Sequence, residues 1–96
     1  MATPGHCLDD VSVIVKNTSM GTVCIAGDLF EREEDILDPS LWQSVSGNER
    51  IQAIHRARVL GMADVIIPGH GPAFQVRDEY KKKALEKQGS VIAEEC

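Results

Sequence analysis

The chain has 96 residues, of which 43% are hydrophobic and 26% charged, and a formal net charge of −5. That length bounds it to one small domain or a part of a larger one, burying only about 60–65% of its unfolded surface. No apolar run approaches the roughly 20 residues of a membrane-spanning helix, and the acidic balance argues against an overall electrostatic grip on nucleic acid, which needs clustered Lys and Arg.

Cys7, Cys24 and Cys96 form an odd set with no CxxC spacing, and the first six residues, Met1 to His6, lack the charged and apolar regions of a secretory leader. The expected compartment is therefore reducing, cytoplasmic or nuclear, with no membrane attachment.

From Asp10 to Lys16, Val11, Val13 and Val15 alternate with Ser12, Ile14 and Lys16, which predicts a strand with the valine face buried. Asn17 to Gly21 reads as a turn. Thr22-Val23-Cys24-Ile25-Ala26 is β-rich and apolar throughout, so it predicts a second strand, paired antiparallel with the first and covered on both faces, that stops at Gly27-Asp28.

Between Leu29 and Gly47 the acidic cluster Glu31-Arg32-Glu33-Glu34-Asp35 and Pro39 interrupt any period. A surface connection is expected there, with one helical turn near Leu41-Trp42 and Trp42 anchoring the loop. Asn48 is a good N-cap, Glu49 suits the positive end of a helix, and Ile51, Ile54, Ala57 and Leu60 recur near helical spacing before Gly61 offers a stop. Val65-Ile66-Ile67 predicts a buried strand, broken by Pro68-Gly69-His70-Gly71-Pro72.

His6 precedes a predicted strand, Asp28 ends the next and His70 follows a third, so each rides a loop at a strand end, where rims can converge. Imidazole and carboxylate are ligands that borderline cations accept. Taken singly, each residue reads equally as a turn former, and spacing alone leaves the function open.

The strings around them narrow it. Thr3-Pro4-Gly5-His6, then Ala26-Gly27-Asp28-Leu29-Phe30-Glu31-Arg32, then Pro68-Gly69-His70-Gly71-Pro72-Ala73-Phe74 occur in that order, and together they resemble the metallo-β-lactamase superfamily. Asp10 to Val15, Gly21 to Val23 and Ala63 to Ile67 extend the likeness, which runs from Ala2 to Arg77.

The fold this resemblance implies is α/β, the C-terminal half of an αββα sandwich with a mostly antiparallel sheet and a flanking helix. Residues 1–77 would form that partial domain and residues 78–96 a charged helical or disordered tail. The resemblance also implies two divalent metal ions, zinc or alternatively manganese or iron. His6 would bind the first ion, Asp28 would bridge both and His70 would bind the second.

The activity implied is that of a metal-dependent hydrolase. The branch nearest these strings implies an endoribonuclease acting on single-stranded RNA at the 3′ ends of histone pre-mRNA, and a glyoxalase-II-like thioesterase is the alternative within the superfamily. The superfamily's principal metal motif, HxHxDH, does not occur in these 96 residues. His55, the remaining histidine, lies mid-helix beside Arg56 and reads as a surface residue. The isolated chain is therefore expected to be inactive and to leave an apolar sheet face uncovered. A non-catalytic fragment or interaction module is the competing reading, forming a homo-oligomer or pairing with an intact homologue by completing its sheet.

Among the other residues, Arg32 is a candidate phosphate contact or a surface ion pair. Lys81-Lys82-Lys83 is a candidate RNA contact or a solvated helix face. Cys7 reads as a non-ligand beside His6, Cys24 as a small buried hydrophobe, and Cys96 as incidental.

Overall fold

Two β-rich runs separated by Asn17 and Gly21 make the hairpin their pattern predicts. Strand β1 (Val13–Thr18) pairs antiparallel with β2 (Gly21–Gly27), setting Val13 against Ile25 and Val15 against Val23. The reversal needs left-handed backbone, supplied by Asn17 at φ 61° and Gly21 at φ 86°. This computed structural model describes residues 1–7 and 9–94, with side chains described up to residue 86, so the reading of Cys96 lies outside the described residues.

After β2 come α1 (Glu34–Leu37), α2 (Ser40–Gln43) and α3 (Glu49–Met62), and then β3 (Val65–Pro68), which pairs parallel with β2. The short β4 (Phe74–Gln75) lies antiparallel to β3, and α4 (Asp78–Glu94) follows. The sheet order is β1-β2-β3-β4, with antiparallel outer pairs flanking a parallel central one. A parallel pair requires a crossover connection, and the segment containing α3 provides it.

The chain is thus mixed α/β with a mostly antiparallel sheet. Among the described residues, no helix is long and apolar enough to cross a membrane.

Helix α3 starts where expected, with the Asn48 side chain accepting from the Ile51 amide at 3.0 Å. It runs one residue past Gly61, to Met62, and ends as Ala63 turns extended at φ −95°. Gly61 is therefore part of the helix and not its stop. The buried face is also rotated from the expected stripe. Gln52, Ala53, Arg56, Val59 and Leu60 face the core, whereas Ile51, Ile54 and Ala57 are only half-buried.

The core joins Cys24, Ala26 and Ile66 of the sheet to Leu29, Phe30, Ile36, Val59 and Leu60. Leu29 to Gln43 is consequently no surface connection, because Leu29, Phe30, Asp35, Ile36 and Trp42 are all buried. The expected turn near Trp42 is present as α2, and that indole does anchor the segment. The acidic cluster conceals α1, because one of its carboxylates, Asp35, is turned inward to Arg56 at 2.7 Å.

Helix α4 also joins the core through its first turns. Tyr80 is 4% exposed, meets Phe74 edge-to-face at 6.1 Å and donates its hydroxyl to Glu33 Oε2 at 2.5 Å.

The opposite sheet face tells a different story. Val11, Val13 and Val15, expected on the buried face, are 64%, 53% and 40% exposed. The helices cover the other side, that of Ser12 and Cys24. Ladder register aligns Val13, Ile25 and Ile67 in one cross-strand row on this open face, and Ile25 and Ile67 are both exposed. The strands β2 and β3 are therefore incompletely covered on that side, contrary to the expectation of burial throughout.

The Glu33 carboxylate accepting from its hydroxyl, followed by burial, raises Tyr80 above the ordinary phenol value. Its proton is thus held more tightly in the folded chain, and the associated stability is present below pH about 10 and lost as pH rises through the raised value. Tyr80→Phe is expected to lower unfolding stability by about 1.5–3 kcal/mol at neutral pH, as for a hydrogen bond to a charged group. Denaturant melts at a series of pH values should show this deficit shrinking above pH about 10.

Candidate metal centre

Parallel pairing brings two of the three predicted ligands to one rim. Gly27 lies opposite Pro68 in the ladder, so Asp28 and His70, one and two residues beyond, leave the sheet at the same end. The approach is close. A Cβ on Gly69 would collide with Asp28 Oδ1 and lie 3.0 Å from the Gly27 carbonyl carbon. A side chain here would have to push the Asp28 carboxylate aside and ease the Gly27 backbone by a few tenths of an ångström.

His6 reaches the rim by another route. The Met1–Ser12 segment folds back on itself, with Ser12 N donating to Met1 O at 2.9 Å and Thr3 N to Asp10 O at 3.0 Å. A buried hydroxyl pair, Thr3 with Ser12 at 2.8 Å, closes it. The loop tip rests on the start of α3, where Asn48 N donates to Gly5 O at 2.7 Å and Gly47 N to His6 O at 3.1 Å. Gly5, at φ 151°, lies so close that a Cβ would strike the Gln52 backbone.

The three side chains meet around one carboxylate. His6 Nε2 lies 3.6 Å from Asp28 Oδ2, and His70 Nε2 lies 3.0 Å from Asp28 Oδ1. Each oxygen of Asp28 thus faces a different imidazole. His6 is the more enclosed, with 21% of its side chain exposed against 58% for His70, and its Nδ1 is buried without a hydrogen-bond partner.

Among the described residues, no group of three or more His, Cys, Asp or Glu side chains is arranged to hold a metal ion. The arrangement is a line of His, Asp and His, enclosed at His6 and open at His70. The donor types themselves, two imidazoles and a carboxylate, are ones that borderline divalent ions accept.

Other candidates fall outside the line. His55 is half-buried on α3, its Nδ1 3.5 Å from Arg58, and burial followed by the Arg58 charge lowers its pKa. It is not the fully surface residue expected from sequence, and it does not approach the rim. Arg32 is exposed and packs its Cβ near Gly71. Cys7 is exposed, and Cys24 is fully buried, where desolvation pushes its thiol up.

Sequence reasoning missed the residues that brace the rim. Arg56 donates to Leu29 O at 2.7 Å and to Asp35 Oδ1 at 2.7 Å, with its guanidinium 4.2 Å from the Phe30 ring centroid and 4.7 Å from that of Trp42. An arginine spaced four residues from a buried glutamine on α3 was the available signal, and it was obscured by the neighbouring isoleucine stripe.

Gly69→Ala is expected to cost about 1–3 kcal/mol, as overpacking at a tight contact does, and to drive the Asp28 carboxylate away from His70. Chemical denaturation would read the first effect and the change in His70 ring resonances the second. A variant with unaltered stability and resonances would contradict the close approach.

No protein-family model matches the chain. Among curated proteins it is 54% identical over 76 residues to metallo-beta-lactamase domain-containing protein 1 of Xenopus laevis, covering 79% of this chain and 31% of that protein. The Homo sapiens protein of the same name is 47% identical over 90 residues, 93% of this chain and 33% of the relative. That of Mus musculus is 48% identical over 95 residues, 96% and 35% respectively. The chain spans about a third of the length of these relatives. Identity at this level over most of its residues makes the chain a homologue of metallo-beta-lactamase domain-containing protein 1, matched over about a third of that protein.

Proposed function

We propose that this chain carries one part of a di-metal hydrolase centre, with His6 holding one ion, His70 the other and Asp28 shared between them. The observation that supports the reading is the division of Asp28, one oxygen toward each imidazole. A carboxylate so placed can neutralise part of the repulsion between neighbouring cations. His6, braced by the loop before α3, would hold its ion rigidly, and His70 would keep the solvent-facing side. When bound, such ions supply an acidified water and stabilise charge developing on the substrate.

The parent activity in this reading is an endoribonuclease cutting single-stranded RNA, with histone pre-mRNA 3′ ends as the substrate class and the nucleus or cytoplasm as its place. Zinc is the first choice of ion, with manganese and iron as alternatives. The chain by itself has too few ligands to control two ions, and the reading holds that it does not turn over.

Purified chain given Zn²⁺, Mn²⁺ or Fe²⁺ in turn and incubated with single-stranded RNA should show no cleavage. Calorimetric titration should show weak Zn²⁺ binding that Asp28→Ala reduces beyond the roughly 10–100-fold cost of losing a mere supporting residue. Cleavage that disappears in Asp28→Ala would overturn the inactivity. Absence of any metal binding would overturn the centre.

One observation favours a second reading, an interaction module. The open face bearing Val13, Val15, Ile25 and Ile67 is apolar and contiguous in register, which suits a second sheet packed upon it, from an intact homologue or another copy. Size-exclusion chromatography with a hydrophobic dye should show an associated, dye-binding species, and Ile25→Lys should reduce both signals. A monodisperse monomer that binds no dye would count against it.

A further inference from the structure

The segment joining Asp28 to α1 has its backbone polar groups taken up by side chains of α1 and α3 and by the His70 loop. Leu29 O accepts from Arg56 Nη1 at 2.7 Å and from Gln52 Nε2 at 3.4 Å. Asp35 Oδ2 accepts from Glu31 N at 2.9 Å and Arg32 N at 3.5 Å. In turn, Phe30 O accepts from Gly69 N at 2.9 Å, and Glu31 O accepts from His70 N at 2.8 Å. The loop that starts at Asp28 therefore also carries the His70 loop.

Arg56 and Asp35 join these bonds into one unit. Their ion pair is 5% and 1% exposed, and the guanidinium lies between the Phe30 and Trp42 rings. Removing two charges from water is costly, and a buried ion pair is often replaceable by apolar residues of similar volume without loss of stability. The filling of apolar volume thus does not account for a buried arginine here. What an apolar residue could not do is donate to Leu29 O while fixing the carboxylate that receives Glu31 N.

We propose that Arg56 and Asp35 are positioning residues that hold the Asp28 and His70 loops in the mutual register needed to share cations, so that α3 sets the geometry of the metal rim. The proposal rests on the di-metal reading of His6, Asp28 and His70. The residues leading into α3 steady His6 as well, through the Asn48 and Gly47 amides, so α3 and its cap reach the supports of all three groups while β2–β3 pairing sets their common edge.

The test compares the 96-residue chain with Arg56→Lys, which keeps the charge but loses the planar fork. Asp35→Asn is the second variant, preserving shape if the first does not fold. Ile66→Val serves as a core truncation that leaves the clamp untouched. In the folded variants, amide exchange at Glu31, Gly69 and His70 should accelerate, while Asp64, bonded to Thr22 O at 2.8 Å, should be unchanged. Co²⁺ titration, followed by its visible absorption, should show affinity falling about 10–100-fold in Arg56→Lys and holding in Ile66→Val.

Exchange that is uniform across the chain, or metal affinity that merely tracks stability in all variants, would overturn the positioning role. Failure of the wild-type chain to bind Co²⁺ would instead remove the metal reading, and the proposal with it. Binding lost in Asp28→Ala but kept in Arg56→Lys would discard the proposal alone.

Discussion

A single guanidinium, that of Arg56, holds together the parts of this chain that have least regular structure. Burial lowers its proton affinity and the Asp35 charge works against that shift, but a guanidinium stays charged in any case. It must therefore spend its donors on Leu29 O and Asp35 and its faces on Phe30 and Trp42. Breaking such a pair by removing one partner typically costs about 3–5 kcal/mol, a large share of the 5–15 kcal/mol by which domains are usually stable. Segments α1 and α2, each of four residues, are too short to persist alone. They exist because this cluster gives them something to pack against.

The rim of His6, Asp28 and His70 follows from two further constraints. One is the parallel pairing of β2 with β3, which aligns the ends of both strands at the same edge. The other is steric. Gly69 admits Asp28, and Gly5 admits the start of α3, because neither has a Cβ to exclude the neighbour. The resulting line of donors runs through the carboxylate, enclosed at His6 and open at His70. That openness agrees with a chain spanning about a third of its curated relatives' length.

The sheet is similarly one-sided. Cys24, Ala26 and Ile66 pack under the helices, whereas the row of Val13, Ile25 and Ile67 faces solvent. Strands of a half-exposed antiparallel sheet ordinarily alternate polar and apolar residues. This sheet instead carries apolar residues on both faces.

Sequence alone determined the hairpin, the cap of α3 and the β3 strand, because each depends on local signals. β-branched alternation and an Asn ahead of a helical run act within a few residues, whereas His6, Asp28 and His70 were singled out by the resemblance of the strings around them. Tertiary structure decided which faces are buried. Periodicity showed that Val11, Val13 and Val15 share a side, but not that the helices lie on the other. It also decided the fate of the acidic stretch from Glu31 to Asp35, where four neighbours resemble a solvated run and one carboxylate is drawn inward by Arg56, 21 positions along the chain. Local pattern carries no record of such a partner, because the energy that selects it arises only when the two segments are brought together and desolvated.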